Sequence, residues 1–157
     1  MLLAVVADSH DNLPMIDRAV KVIRERGAGA LIHAGDIIAP FAAKAWAEFD
    51  GPILGVFGNN DGERAGLRKV LAELEDSPRL FEIGGRKVLV SHREEDLTEE
   101  LGEQADLIVV AHTHRSQSGL RGRAALLNPG EVGGWLTNRS TIALVELDNL
   151  EAELVEL

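Results

Sequence analysis

Short apolar runs alternate with amphipathic stretches along this chain, and that alternation constrains the fold more than any other feature of the sequence. Residues 1–7 are almost wholly apolar, which is typical of a strand buried on both faces. Residues 12–26 then carry apolar side chains at helical spacing and are followed by Gly27, a common helix stop. Strands that alternate with helices in this way predict an α/β fold.

The later segments continue the alternation and end in strand-rich sequence. Strands with their loops are predicted over residues 30–38 and 51–61, and helices over residues 41–49, 63–75 and 94–104. A hairpin over residues 79–92 is predicted to turn at Gly84 and Gly85. The runs DLIVVAHTH, ALLNPG, TIALVEL and EAELVEL complete the chain, the last two as antiparallel strands. Because no repeat or linker interrupts the pattern, we expect one domain over residues 1–157.

Composition limits the classes of function. A chain of 157 residues with 45% hydrophobic content is long enough for one substantial core. The formal charge of −10 argues against a broad nucleic-acid surface. The absence of cysteine excludes disulfides and thiolate ligands, so any metal must use His, Asp, Asn or Glu. With neither a signal peptide nor a membrane-spanning run, a cytoplasmic protein without a membrane partner is the expectation.

Polar side chains follow five of the predicted strands at the point where each strand ends. The sequences at these ends are DSH, GD, GNND, SH and AHTH. Because the carboxyl ends of parallel strands are where ligands bind, we expect seven side chains to converge there: Asp8, His10, Asp36, Asn59, His92, His112 and His114. This mixture of oxygen and imidazole donors suits Mn, Ni, Fe or Zn better than Ca or Mg. Seven ligands are too many for one small ion, but with a bridging carboxylate they could hold two.

Each fragment taken alone has an ordinary structural explanation. A DxH sequence is often a turn or a helix cap, and an Asp after Gly is a common loop residue. Unpaired Asp and His side chains are costly to bury, however, so core packing does not explain so many of them at successive strand ends.

This ordered set resembles the motifs of the calcineurin-like metallophosphoesterases, and the resemblance covers almost the whole chain. The family pattern is DxH, GD, GN followed by His or a substitute, a later His, and GHxH; here it reads DSH, GD, GNND, SHR and AHTH. The short length and the NPG sequence at residues 128–130 are most similar to the small YfcE-type branch. The resemblance implies two packed mixed β-sheets flanked by helices, a four-layer α/β sandwich.

The resemblance also implies two divalent metal ions per chain and a division of the ligands between them. The first ion would be bound by Asp8, His10, Asp36 and His114, and the second by Asp36, Asn59, His92 and His112. A hydroxide bridging the ions would then attack a small phosphate ester, which predicts a metal-dependent phosphodiesterase. Two alternatives with the same fold stay open. One is a non-catalytic protein-interaction scaffold, like the retromer subunit that typically loses parts of the metal shell; the other is a nuclease, which the length and charge disfavour.

A few positions depart from the family pattern or lie beside it. Asn60 stands where larger members carry a histidine thought to protonate the leaving group, and an amide cannot transfer a proton at neutral pH. We place Asn60 on the substrate or leaving-group side. Arg93 replaces the usual glycine and could contact a substrate phosphate or point into solvent, and Asn12 is a second candidate phosphate contact or a helix cap. His33 could orient a ligand or be a satisfied strand histidine.

Three further expectations concern the tryptophans, one turn and the assembly. Trp46 and Trp135 could form a stacking platform for bases, but the amphipathic helix around Trp46 favours a core position. Residues 128–131 are expected to form a turn near the metal ligands without direct chemistry. Whether the chain forms a homodimer is left open.

Overall fold

The computed structural model describes all 157 residues, Met1–Leu157. Its strands, in chain order, are β1 (Leu2–Val6), β2 (Ala30–His33), β3 (Ile53–Val56), β4 (Glu73–Glu75), β5 (Arg79–Ile83), β6 (Arg86–Val90), β7 (Leu107–Val109), β8 (Gln117–Arg121), β9 (Ala124–Asn128), β10 (Thr141–Glu146) and β11 (Glu151–Glu156). Its helices are α1 (Leu13–Glu25), α2 (Pro40–Trp46), α3 (Arg64–Val70) and α4 (Glu99–Glu103). None of the helices combines the length and apolar composition that a membrane crossing requires.

The strands form two mixed sheets. The six-stranded sheet has the order β11-β10-β1-β2-β3-β4, in which β1 to β4 are parallel and β10 and β11 add antiparallel pairs. The five-stranded sheet has the order β5-β6-β7-β9-β8, in which β6, β7 and β9 are parallel. The prediction of two mixed sheets flanked by helices is therefore confirmed.

Three apolar clusters hold the layers together. Eighteen buried residues fill the space between the sheets, and nineteen lie between the six-stranded sheet and helices α1 to α3. A smaller cluster of seven packs on the outer face of the five-stranded sheet, beneath α4. Strand β1 contributes to the two larger clusters, because Leu3 and Val5 face the other sheet while Ala4 and Val6 face the helices. Burial on both faces explains the uninterrupted apolar sequence at the N-terminus.

Helix α1 forms where the sequence predicts it. Its buried residues, Ile16, Ala19, Val20 and Ile23, are those that recur at helical spacing. The Asn12 side chain caps the helix by accepting a hydrogen bond from the Met15 amide at 3.4 Å. Trp46 is fully buried against this helical layer, which confirms the core position expected for it.

Some predicted elements are wrong in extent. The helix predicted over residues 63–75 ends at Val70, because Leu74 is drawn into the core as part of the short edge strand β4. The helix predicted over residues 94–104 is a 3₁₀ turn, Glu94–Asp96, and then α4, separated by the extended and buried Leu97. The helix predicted over residues 41–49 spans Pro40–Trp46, and the exposed edge strand β8 was not predicted.

Candidate metal centre

The seven predicted ligands lie at the carboxyl ends of five parallel strands. Asp8 and His10 follow β1, Asp36 follows β2 and Asn59 follows β3 in the first sheet; His92 follows β6, and His112 and His114 follow β7 in the second. The loops after β1 and β2 are joined by backbone hydrogen bonds from Asp8 to Gly35 and from His10 to Asp36, of 3.0 and 3.1 Å. The site therefore lies where the two sheets meet along one rim.

Two groups of potential ligand atoms share the Asp8 carboxylate. In the first, ligand atoms of Asp8, His10 and His114 lie within 4.8 Å of one another; in the second, those of Asp8, Asp36 and His92 do. The Oδ2 atom of Asp36 is 3.4 Å from Nε2 of both His10 and His92, and so lies between the two groups. Asp36 is therefore within reach of ligand atoms from both groups.

The remaining two predicted ligands lie beside the second group. Oδ1 of Asn59 is 3.0 Å from Nε2 of His92. The His112 and His92 rings are 5.2 Å apart between centroids, and the His112 amide donates to Oδ2 of Asp8 at 3.2 Å. All seven predicted positions are thus brought together at one site.

Two buried atoms of this site have no hydrogen-bond partner. They are Oδ1 of Asp8 and Nε2 of His10, which are 3.7 Å apart. Buried polar atoms without partners are costly and uncommon in native proteins. When His10 is neutral with its proton on Nδ1, both atoms can donate an electron pair, and a cation bound between them would satisfy both. The donor set and its unpaired atoms therefore fit a divalent metal.

Two of the four imidazoles, those of His92 and His114, are held in the tautomer that a metal needs. Nδ1 of His92 donates to the Ala34 carbonyl at 2.8 Å, and Nδ1 of His114 donates to Glu131 Oε2 at the same distance. In a neutral ring the proton on Nδ1 leaves Nε2 with a free electron pair. Both Nε2 atoms face the carboxylates of the site, at 3.4 Å from Asp36 and 3.6 Å from Asp8.

The backbone at the ligands is strained. Five of the seven residues have positive φ angles: Asp8 (50°), His10 (41°), Asp36 (60°), His112 (68°) and His114 (61°). Side chains disfavour this left-handed region, and residues held there cluster at functional sites. This left-handed backbone conformation directs the five side chains toward the candidate metal site.

The charges at the site are strongly coupled. Burial opposes ionisation of Asp36, but hydrogen bonds from His92 and Asn60 more than offset it and hold the pKa of the carboxyl well below its usual range. The carboxylates of Asp8 and then Asp36 raise the pKa of His10. Burial lowers the pKa of His92, but Asp36 outweighs it, so that pKa is also raised. A metal at these ligands therefore competes with protons for the same electron pairs.

Glu131 supports the predicted ligand His114, a contact that the sequence analysis did not predict. It is fully buried, and its carboxylate accepts hydrogen bonds from His114 Nδ1, from the amides of Trp135, Leu136 and Thr137, and from the Thr137 hydroxyl. Burial opposes its charge, but these donors, His114 first among them, lower its pKa. The turn at residues 128–131 lies near the ligands as expected, and the acid directly after NPG was the available signal.

Asp61 is a second missed residue. Its buried carboxylate accepts the amides of Asp36, Ile38 and Gly58 at 2.7–2.8 Å, and so ties the loop after β2 to the loop after β3. Burial raises its pKa, with the three amides acting in the opposite direction. A Cβ atom on Gly58 would overlap the Asp36 carboxylate, so glycine permits the close packing of these loops. The final Asp of GNND was the available signal.

The other predicted site residues lie at or beside the ligands. Asn60 donates both its amide and its Nδ2 group to Asp36, at 2.9 and 2.8 Å. Asn12 caps α1, and its Nδ2 group donates to the Gly133 carbonyl at 2.8 Å. Arg93 is partly exposed and lines a cavity of about 330 Å³ together with Asn59 and His92. Its Nε atom is buried without a partner.

His33 is a satisfied strand histidine. It is fully buried, its Nδ1 atom accepts the Gly35 amide at 3.2 Å, and its Nε2 atom is 3.3 Å from Ser9 Oγ. Ser9 in turn accepts a hydrogen bond from Trp46 Nε1. Burial lowers the pKa of His33 to about 3, so the ring is neutral near pH 7.

Residues 1–150 match the model of the calcineurin-like phosphoesterase superfamily domain, and the chain belongs to this family. Among curated proteins, a phosphodiesterase of Methanocaldococcus jannaschii is 27% identical over 159 residues, which cover 96% of each chain. The solved structure of an archaeal phosphodiesterase superposes over the full length of both chains with a TM-score of 0.91 and 27% identity. YfcE, a phosphoesterase from E. coli, shares the fold with a TM-score of 0.75 and 20% identity over 99% of this chain and 98% of its own.

Proposed function

We propose that this chain is a dinuclear metal-dependent phosphodiesterase that hydrolyses a small organic phosphate ester. The observation that carries the proposal is the pair of unpaired buried atoms, Asp8 Oδ1 and His10 Nε2, inside a set of seven metal-ligating side chains. The homology to phosphodiesterases over 96% of the chain supports the same reaction. Mn, Ni, Fe and Zn all suit this donor set.

We assign the ligands to two ions that share Asp36. Asp8, His10, Asp36 and His114 would bind the first, and Asp36, Asn59, His92 and His112 the second. The position of Asp36 Oδ2, equidistant from His10 and His92 at 3.4 Å, supports its role as the bridge. When bound, two such ions supply an acidified water as nucleophile and offset the charge on the phosphate oxygens.

The chain's own residues would orient the ligands and the ester. Asn60 donates twice to Asp36 and so fixes the plane of the bridging carboxylate. Glu131 fixes the ring of His114 from behind. Arg93 opens onto the same cavity as Asn59 and His92, where a guanidinium can bind two phosphate oxygens at once. The Asn12 amide already has two backbone partners, so a phosphate contact there would need one of them to give way.

The leaving group would depart without help from a side-chain acid. Asn60 cannot donate a proton as an acid, and His33 is buried, neutral and hydrogen-bonded to Ser9. An ester whose leaving group is a weak base needs the least assistance. We therefore expect aryl esters to react faster than alkyl esters. The location in the cytoplasm and the assembly of the chain stay predictions.

The test is hydrolysis of phosphomonoesters, phosphodiesters and cyclic nucleotides by protein loaded separately with Mn, Ni, Fe or Zn. We expect at least one metal to support hydrolysis of an activated diester, with Asp36→Ala inactive under the same loading. A matched control is Asp50→Asn, which alters an exposed ion pair with Arg24 away from this cavity and should retain activity. If the protein binds metal but hydrolyses none of these esters, the scaffold alternative is favoured instead.

A further inference from the structure

The loop after the NPG turn carries an exposed tryptophan. Trp135 is 62% exposed and the next residue, Leu136, is 73% exposed, whereas Trp46 is fully buried. Tryptophan is usually well buried because the transfer of its large ring out of water is favourable. Neither an aromatic ring nor an arginine or lysine stacks on the Trp135 indole. Most of the ring is therefore accessible to a ligand.

The position of this indole is fixed relative to two metal ligands. Nε1 of Trp135 donates to the His10 carbonyl at 3.3 Å. The Trp135 amide donates to Oε2 of Glu131 at 3.0 Å, and the same oxygen accepts the hydrogen bond from His114. The indole thus lies at the rim of the site, on the side of His10 and His114.

The loop that carries Trp135 is bound along the metal-ligating loop. The amides of Val132 and Gly133 donate to the carbonyls of Ala7 and Asp8 at 2.9 and 3.0 Å, and Asn12 binds the Gly133 carbonyl. A Cβ atom on Gly133 would press against both the Asp8 carbonyl and the Trp135 ring, so this approach needs a glycine. A ring held in this way loses little conformational freedom when a ligand stacks on it.

We propose that Trp135 forms a subsite that stacks on a planar aromatic group of the ester bound at the metal centre. This inference rests on the proposed function and names its substrate class, a small aryl or nucleoside phosphodiester. Stacking suits any flat ring, because every aromatic group has a face to offer. The charge of −10 disfavours a long polynucleotide as the source of that ring.

The test compares the binding of diphenylphosphinate and dimethylphosphinate to zinc-loaded protein by isothermal titration calorimetry. Neither compound has an ester bond, so the comparison does not depend on hydrolysis. We expect the wild type to prefer diphenylphosphinate roughly tenfold or more. Trp135→Ala should lose most of this preference, and Trp135→Phe should retain it. Because Phe also lacks Nε1–H, the pair separates the ring from the hydrogen bond to His10.

Leu136→Ala is the matched control, since Leu136 is also exposed on the same loop and the substitution leaves its backbone hydrogen bond to Glu131 in place. It should keep the wild-type preference, and zinc content should be equal in all variants. The proposal is overturned if Trp135→Ala keeps the preference, if Leu136→Ala loses it equally, or if neither phosphinate binds. The proposal is also overturned if the only effect of Trp135→Ala is to convert a dimer of the chain to a monomer, because Trp135 would then belong to a subunit contact. If the protein hydrolyses no ester but still prefers diphenylphosphinate in a way that depends on Trp135, the proposed reaction is rejected and the stacking subsite is retained.

Discussion

Glu131 concentrates five hydrogen bonds on one buried carboxylate beside His114. In Glu131→Gln, one carboxylate oxygen becomes an NH₂ group that faces donors, so some of them lose their acceptor. Losing a partner behind a metal-ligating histidine typically lowers metal affinity about 10- to 100-fold. We expect that loss, with a decrease in the free energy of unfolding of about 1–3 kcal/mol.

Metal affinity would be measured by competition with a chelator, and unfolding by urea titration. Glu73→Gln is the control, because Glu73 is exposed and makes no side-chain hydrogen bond or ion pair. Wild-type metal affinity in Glu131→Gln would show that Glu131 only shapes its loop.

We expect residue 60 to control how the rate of hydrolysis depends on the leaving group. We expect Asn60→His to raise rates for alkyl esters more than for nitrophenyl esters, because general-acid catalysis is typically worth roughly 10²- to 10⁴-fold. The measurement is the slope of log rate against leaving-group pKa at matched metal content. Asn60→Ala is the control, since it removes the hydrogen bond to Asp36 without adding an acid. An unchanged slope in Asn60→His would mean that residue 60 does not face the leaving group.

The ligands themselves could be predicted from the sequence, but the residues that hold them could not. Each ligand lies in the loop that follows an apolar strand, so its place at the rim follows from the order of the chain. Glu131 and Asp61 support other residues from loops, and their partners are backbone amides that no sequence pattern specifies. Asn60 could be predicted to lie near the site, but its two hydrogen bonds to Asp36 depend on how the loops pack.

Between elements, Asp61 joins the loops that follow β2 and β3. Asp61→Asn replaces one acceptor oxygen by an NH₂ group that faces backbone amides, so we expect the protein to lose about 1–3 kcal/mol of unfolding free energy. Metal binding should weaken as well, because the Asp61 carboxylate accepts the amide of Asp36, a proposed metal ligand. Urea denaturation measures the first effect. The control is Asp50→Asn, which alters an exposed ion pair with Arg24 and should change stability by less than about 1 kcal/mol. Equal losses in the two variants would contradict this role for Asp61.

We expect His33, on strand β2, to make the free energy of unfolding depend on pH. The unfolded ring titrates near pH 6.5, whereas burial lowers its folded pKa to about 3. Between these values the unfolded state binds more protons, so stability is lost as the pH falls below about 6.5, by at most about 1.4 kcal/mol per pH unit. We expect metal-free His33→Asn to lose less stability than the wild type between about pH 6.5 and 4.5 in urea titrations. Parallel pH profiles would contradict a neutral buried His33.

The central helices and strands could be predicted from the sequence, but the edge strands of the sheets could not. Helix α1 and the strands β1 and β2 bury a clear pattern of apolar residues. The edge strands β4 and β8 do not: β4 has three residues, and β8 is polar and exposed along most of its length. Pairing with a neighbouring strand, rather than local sequence, determines such edges.

In the whole molecule, the packing of two sheets creates the site. The first sheet contributes Asp8, His10, Asp36 and Asn59, and the second contributes His92, His112 and His114. The order of motifs predicts that these side chains share a rim, but it does not specify which sheet carries each strand. The contact between β6 and β7 of one sheet and the loops of the other brings His92 within 3.4 Å of Asp36. We therefore expect the site to bind two ions that share Asp36.

The most direct test is the metal content of the purified protein after loading and removal of free ions, measured by elemental analysis. We expect close to two equivalents per chain in the wild type. His114→Ala and His92→Ala should each retain about one, and Asp36→Ala should disturb both. Asp50→Asn should match the wild type. A wild-type maximum of one equivalent that Asp36→Ala leaves unchanged would contradict the account.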